Sequence, residues 1–432
     1  MRVELVTVGD ELLLGDTING NAAWLGQRLA ENGIEVIRSV VVSDRQDEII
    51  QAVREGLGRA DAVITTGGLG PTSDDLTRDA LAVAAGVKLR RDPALEARLR
   101  ERTAAAGREL LPMALRMAEV PEGARLLPNP AGTAPGLRLE LPGGPVYALP
   151  GIPSEMRALT DAEVLPLLLS GAEPGVPVRR RTLRTVGVWE SVLATRLAPV
   201  EALAGVGVAY LPEAGEVKIR ITATGPDAEV VLAGAEEMAR ELLGSDVYGA
   251  GDDALDRVVH RILAERGATV ATAESLTGGL LGGELTAMPG SSVTYAGGVV
   301  AYDTRLKTSL LGVSAGLLAS GGAVQPRVAA EMAAGVRDRL GATYGLAVTG
   351  VAGPEPQDGK PVGTVYIAVS GPTGTPKVVS PRLPASGSGD RLRTLIRRMT
   401  VVHALDLLRR NILGLDGFPQ ASEDRKDRDA SA

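Results

Sequence analysis

Short apolar runs, each closed by a polar, glycine-bearing stretch and followed by helical spacing of apolar positions, set the rhythm of the first part of the chain. Residues 3–8 (VELVTV) read as a buried strand, followed by a polar loop and a helix over 21–31. A second strand is expected at 34–42, a helix at 47–57, and a third strand at 62–66 that runs straight into GGLGPTSDD. Strands alternating with helices predict a parallel sheet, with ligands at the carboxyl ends of the strands.

The rhythm breaks near residue 170. SGAEPGVPVRRR at 170–181 reads as a linker, and the segment to about 250 runs strand, helix (190–197), strand (216–224), helix (228–243). That order suggests a KH-like RNA-binding unit, yet it has no GxxG and no basic face, so a structural spacer is expected. From residue 252 the α/β pattern returns: helix 255–266, strand 269–273, then ESLTGG opening a helix. Further strands are expected at 294–301, 344–348 and 364–369, and a last helix at 391–411. The expected architecture is two α/β domains with mainly parallel or mixed sheets (1–170 and 251–412), joined by a small KH-like α+β module (171–250). A polar tail, 413–432, is expected to be disordered. Domains separated by a Pro/Gly linker are expected to fold alone.

Composition narrows the chemistry. At 432 residues, two or three domains are expected, and with one Phe and two Trp their cores are Ala, Val, Leu and Ile. The net charge of −7 and the lack of a basic run argue against nucleic acid as a partner. No segment reads as a signal peptide or membrane span, so a cytoplasmic protein is expected. Cys is absent, which excludes thiolate nucleophiles and Cys-bound zinc. The two histidines, His260 and His403, sit in helix-like apolar runs (VVHRIL, VVHALDLL) and are expected to be packed or half-exposed helix residues. A Ser-His-Asp triad is therefore not expected. Hydrolysis would fall to carboxylates with a hard metal, or to Ser with Lys. Lysine is scarce beside a large excess of arginine: Lys88, Lys218, Lys307, Lys360, Lys377 and Lys426 are the set. In such a chain a lysine can mark a place where arginine fails, since arginine does not give up its proton.

Two stretches gather candidate residues. In the first, Gly67, Gly68 and Gly70, then Thr72, follow the third strand, where glycines let a backbone approach a phosphate. Asp74 and Asp75 fit either as caps of the next helix or as ligands of a divalent cation. Asp10 and Glu11 follow the first strand and Asp44 the second, so acidic residues at three neighbouring strand ends should converge on one crevice. In the second stretch, ATAESLTGGLLG at 271–282, Ser275 lies at a sharp turn and the amides of Thr277, Gly278 and Gly279 are available to an anion. The bland alternative makes Ser275 or Thr277 a helix N-cap. Lys307, after Tyr302 in VVAYDTRLK, is placed to accept the Ser275 proton if the two meet. The loop opened by Thr349 and Gly350 could supply an oxyanion hole.

These motifs resemble a known family. GDELLLG (9–15), GGLGPTSDD with Thr77, NPAGTAPG (129–136) and LPGIPSEM (149–156) are similar to the molybdenum-cofactor-biosynthesis-type domain that begins CinA (competence/damage-inducible) proteins. Asp75 matches the aspartate of that superfamily's GGxGxxxxDxT pattern. The resemblance implies a metal-dependent ADP-ribose pyrophosphatase. Its ligands would be Asp10, Glu11, Asp44, Asp74 and Asp75, and Gly132 and Thr133 would join the glycine loop in binding substrate. From about 253 to 412 the chain resembles the CinA carboxy-terminal domain, which implies metal-free nicotinamide mononucleotide (NMN) amidohydrolase activity. By that resemblance Ser275 is the nucleophile, Lys307 its base and Tyr302 an assisting hydroxyl. The family's G-D-R-x-x-(V/I)-R is GDRLRTLIR here, so Arg391, Arg393 and Arg397 all stand as candidates for the substrate phosphate. A homodimeric hydrolase recycling pyridine nucleotides is the resulting expectation. One alternative is an active amidase beside a pterin- or nucleotide-binding module. Another is a non-enzymatic partner in competence or DNA repair.

Overall fold

The computed structural model describes residues 1–105, 107, 109–132, 134–170, 178–384 and 389–415. Thr133, most of the expected linker and all but the first residues of the expected tail lie outside them. β1 (Arg2–Val8) is buried from Val3 onward, as a strand covered on both faces must be. It lies parallel to β2 (Glu35–Val42) and β3 (Ala62–Thr66), with helices Gly20–Glu31 and Gln46–Leu57 in the crossovers. β4 (Leu89–Arg91) and β5 (Glu119–Pro121) form a separate antiparallel ribbon. β6 (Arg125–Leu127), β7 (Gly136–Leu141) and β8 (Gly144–Leu149) complete a sheet of order β2-β1-β3-β8-β7-β6. The sheet is mixed, within the expectation of mainly parallel or mixed sheets, because β7 is antiparallel to both its neighbours. The reason is local: Gly143 and Gly144, both at left-handed φ (106° and 140°), turn the chain too tightly for a crossover helix. Leu25, Leu29, Met156 and Leu159 belong to one of this domain's two apolar clusters, and Ile49, Val53 and Leu81 to the other.

By its contacts the chain divides into two units. One is Met1–Arg179 with Thr224–Ala228, and the remainder is the other. The second unit holds both the small module and the carboxy-terminal domain. β9 (Val178–Val186), β10 (Val206–Glu213), β11 (Glu216–Thr224) and β12 (Val247–Ala250) make a sheet of order β10-β11-β9-β12. The module's helices are Glu190–Glu201 and Ala228–Leu243. β13 (Val270–Glu274), β14 (Tyr295–Val300), β15 (Tyr344–Gly350), β16 (Val365–Ser370) and β17 (Lys377–Val379) form the sheet β14-β13-β15-β16-β17. β13 is parallel to β14 and β15, whereas β15 to β17 run antiparallel, so this sheet too is mixed. Helices Thr304–Leu311, Ala315–Gly321 and Pro326–Leu340 fill a stretch to which the sequence reading assigns no element.

The long helix Gly389–Leu413 carries an ion network out of water. Asp406 accepts from Arg409 Nε at 2.8 Å and Arg410 Nε at 2.7 Å. Arg410 reaches on to Asp246 of the module at 2.8 Å, and Arg409 to the Ser245 carbonyl at 2.7 Å. Module and domain also share apolar packing, with Val186 and Tyr248 in one cluster with Leu405 and Leu408. The expected independence of the domain from the module is therefore not what the contacts favour.

His403 is buried and His260 half-buried, as expected. Burial pushes His403 down to about 4, and His260 Nδ1 lies 2.6 Å from Thr294 Oγ1. No helix among the described residues is long and apolar enough to cross a membrane.

Candidate functional site

The parallel register of β1, β2 and β3 brings their carboxyl ends side by side, with Val8 opposite Val42 and Thr7 opposite Thr66. Gly67 and Gly68 then turn at left-handed φ, and a Cβ on Gly67 would lie 2.3 Å from the Val8 carbonyl oxygen. Thr77 closes the loop, donating its hydroxyl to the Gly67 carbonyl at 2.8 Å. Buried Arg78 donates to the carbonyls of Leu69 and Gly70, and burial lowers its pKa to about 10.

These loops line a crevice of about 830 Å³ that includes Glu11, Asp44, Gly67, Gly68, Gly70, Thr72, Asp74 and Asp75. Asp75 spends both carboxylate oxygens on the loop, accepting from the Gly70 amide (2.7 Å) and from the Thr72 amide (2.8 Å) and hydroxyl (2.5 Å). It does not cap the next helix, which begins at Thr77 without a side-chain cap; it orders the loop instead. Asp10 lies off the crevice wall and braces the β1 and β2 loops, its amide donating to Asp44 Oδ2 at 2.9 Å. Burial raises the pKa of Asp44, and the charges of Asp10, Glu11 and Asp74 raise it further. Among the described residues no three acidic or histidine side chains stand together as a set able to hold a metal ion. The carboxylates do converge, but as placed they are not the ligand set expected from sequence.

Sequence reading also missed the far wall, Arg102 and Glu155. Arg102 donates to the Gly132 carbonyl, and Asn129 donates to Glu155 at 2.7 Å. A Cβ on Gly132 would sit 1.9 Å from the Glu155 carboxyl carbon, so a larger residue there would displace that carboxylate. The signal for Glu155 was inside the LPGIPSEM motif itself.

The second site is a smaller pocket, about 150 Å³, lined by Ser275, Tyr302, Lys307, Thr349, Gln357 and Arg393 among others. Ser275 follows β13, and Lys307 projects from the helix after β14, so parallel pairing of the two strands brings them together. Lys307 Nζ lies 3.2 Å from Ser275 Oγ and donates to the Ala301 carbonyl at 2.6 Å. Only 1% of Lys307 is exposed. Burial lowers its pKa to about 8, against the opposing pull of Asp303 and Asp358. A neutral amine in this position has an N–H for Ala301 and a lone pair for the serine proton. Arg393 donates to the Tyr302 hydroxyl at 3.0 Å and to the Gly353 carbonyl.

Other candidates fall elsewhere. Arg391 is exposed and off the pocket wall, and Arg397 turns away to the carbonyls of Leu276 (3.1 Å) and Thr277 (2.7 Å). Of the three arginines, the pocket therefore holds Arg393. Two of the amides assigned to an anion are already engaged: Gly278 N–H donates to the Ser275 carbonyl, and Gly279 N–H to the buried carboxylate of Glu274. Thr277 likewise gives its hydroxyl to Glu274 at 2.7 Å, so these three residues build the turn from within. The Thr349 hydroxyl goes to the Ala323 carbonyl, Gly350 lies in β15 behind the pocket, and the Val351 amide is taken by Thr364.

Together these features define a multidomain α/β protein with a crevice at the strand ends of one domain and a Ser–Lys pocket in another. Three family profiles match it: "Probable molybdopterin binding domain" over residues 4–170, "Damage-inducible protein CinA KH domain" over 180–249, and "CinA C-terminal domain" over 252–412. A CinA-like protein of Frankia casuarinae is 54% identical over 427 residues, covering 96% of this chain and 97% of that protein. One from Myxococcus xanthus is 41% identical over 429 residues, covering 97% and 100%. Among solved structures, the protein CinA with unknown function from Thermoplasma acidophilum is 42% identical, with a TM-score of 0.35, covering 37% of this chain and 94% of that one. The chain belongs to the CinA family. That membership, with its molybdopterin-binding-like domain, is consistent with an enzyme and with a general role in processing nucleotides.

Proposed function

We propose that the carboxy-terminal domain is an NMN amidohydrolase working by a Ser–Lys mechanism. The carrying observation is the buried Lys307 amine, its pKa lowered to about 8, within 3.2 Å of Ser275 Oγ. Lys307 takes the hydroxyl proton as Ser275 Oγ attacks the carboxamide carbon. The resulting ammonium then protonates the departing nitrogen, ammonia leaves, and an ester remains on Ser275. Water, deprotonated by Lys307, cleaves that ester to the nicotinate product. Arg393 and Tyr302, which line the same pocket, are placed to contact the substrate. Because the base must be neutral, turnover should rise with pH through about 8 and level off above it. A profile flat from pH 6 to 9 would remove Lys307 as the base.

A second activity is carried by the crevice of the first domain. The glycine loop and Arg102 line this strand-end crevice beside Glu11, Asp44 and Asp74, a setting suited to a nucleotide ligand, and ADP-ribose cleavage is the reading it supports. No step is drawn through a divalent cation, since the described carboxylates do not form its ligand set. Incubation with NMN and with ADP-ribose, each with and without EDTA, tests both readings. Metal dependence predicts that EDTA abolishes ADP-ribose cleavage and spares deamidation. Equal loss of both activities would contradict two separate sites, and Asp75→Asn should impair ADP-ribose cleavage selectively. Small nucleotides as the ligands, no nucleic acid, and a cytoplasmic homodimer complete the proposal.

A further inference from the structure

Glu274 has no step in the mechanism above, yet it is the residue immediately before Ser275 and is 2% exposed. A buried carboxylate is costly unless fully hydrogen-bonded. Here Oε2 accepts from Thr277 Oγ1 at 2.7 Å and from the amides of Gly279 and Leu281 at 3.0 Å each. Oε1 accepts from the Gly282 amide at 2.8 Å. Those amides open the helix Leu280–Thr286, and such a terminus ordinarily draws an anion from outside. This chain supplies one from its own strand. On the other side of the turn, Arg397 holds the carbonyls of Leu276 and Thr277. The donors of the turn are gathered by Glu274 and two of its acceptors by Arg397, while the Ser275 side chain faces Lys307.

We propose that Glu274 is a positioning residue: an internal counter-anion that fixes the 275–279 turn so that Ser275 Oγ stays within reach of Lys307. The inference rests on the reading of Ser275 as nucleophile, but not on NMN as substrate. Its test is therefore the reaction of the full-length protein with a fluorophosphonate. In that reaction Ser275 Oγ forms a bond to phosphorus, fluoride leaves, and the hydroxyl proton passes to Lys307. Glu274→Gln keeps the size but turns one acceptor oxygen into an N–H donor facing a donor amide. Thr277→Val removes one partner of Glu274, and Thr277→Ser restores it.

Labelling of Ser275 should slow by roughly tenfold or more in Glu274→Gln, since a displacement near 1 Å can cost about a hundredfold. Thr277→Val should slow it less and Thr277→Ser should recover it. The pH at which labelling is half-maximal should stay put in all three, because Lys307 is untouched. If Glu274→Gln does not fold, as judged by circular dichroism, the Val and Ser variants at 277 decide. Glu274→Gln labelling at the wild-type rate overturns the proposal. So does a loss that tracks the unfolded fraction alone. Absence of labelling in the wild type overturns both the proposal and Ser275 as nucleophile. Wild-type labelling without NMN turnover discards only the substrate and, with the Glu274→Gln deficit, supports the positioning role.

Discussion

Lys307→Arg abolishes NMN deamidation nearly as fully as Ser275→Ala, while NMN still binds to both variants. Arginine keeps the positive charge and roughly the reach of lysine, but it does not give up its proton near neutral pH. General-base assistance is typically worth on the order of 10²–10⁴ in rate. If Lys307 instead pairs with the substrate phosphate, the arginine variant retains much of its turnover. The site is 1% exposed, so the larger guanidinium also tests the packing, and Lys307→Met supplies the control. It keeps the length, removes both charge and lone pair, and should be equally inactive but stably folded. Measuring turnover and melting for the three variants separates base from clamp. An active Lys307→Arg enzyme sinks the Ser–Lys mechanism.

Asp406→Ala lowers the stability of the second unit by about 3–5 kcal/mol, the usual result of removing one partner from a buried ion pair. Asp406 is fully buried and Arg409 and Arg410 are each 3% exposed, so their guanidinium groups would keep their burial and lose a shared carboxylate. A fragment beginning near residue 250 makes the same point differently. It strips Asp246 and the Ser245 carbonyl from Arg410 and Arg409, and it should express poorly or melt early. A fragment beginning near residue 180 should not. Chemical denaturation of the three proteins reads the difference. Equal midpoints would mean that the network contributes nothing net.

The strands and helices were legible where apolar spacing met turns punctuated by glycine, proline or acid. The strand at 62–66, the strand at 216–224 and the helix at 228–243 fall where apolar spacing places them. Between β14 and β15 the punctuation is present, with Gly312 ending the first helix, Ser314 and Gly322 bounding the second and Pro326 opening the third, yet the apolar spacing there is too weak to assign the three helices. Lysine scarcity picked out Lys307 before any distance was known. Glu274 was not legible, because a glutamate ending an apolar strand carries no sign of burial; only the folded turn delivers the amides that neutralise it. The three candidate arginines, Arg391, Arg393 and Arg397, cannot be separated by spacing either. Helical periodicity puts Arg393 and Arg397 on one face, and it took the Ser275 turn, packed under Arg397, to divide their work. Asp75 shows the reverse case. The motif marks the residue, but whether it holds a cation or a loop depends on which amides reach it first.

The helix Gly389–Leu413 has one further consequence. At about 1.5 Å per residue its 25 residues span roughly 37 Å. Near its start Arg393 touches the pocket and Arg397 the nucleophile's turn; near its end Arg409 and Arg410 grip the KH-like module. One continuous helix thus joins the two ends. A ligand that tilts the module pulls on the far end of a helix whose near end carries one arginine of the pocket and one of the nucleophile's turn.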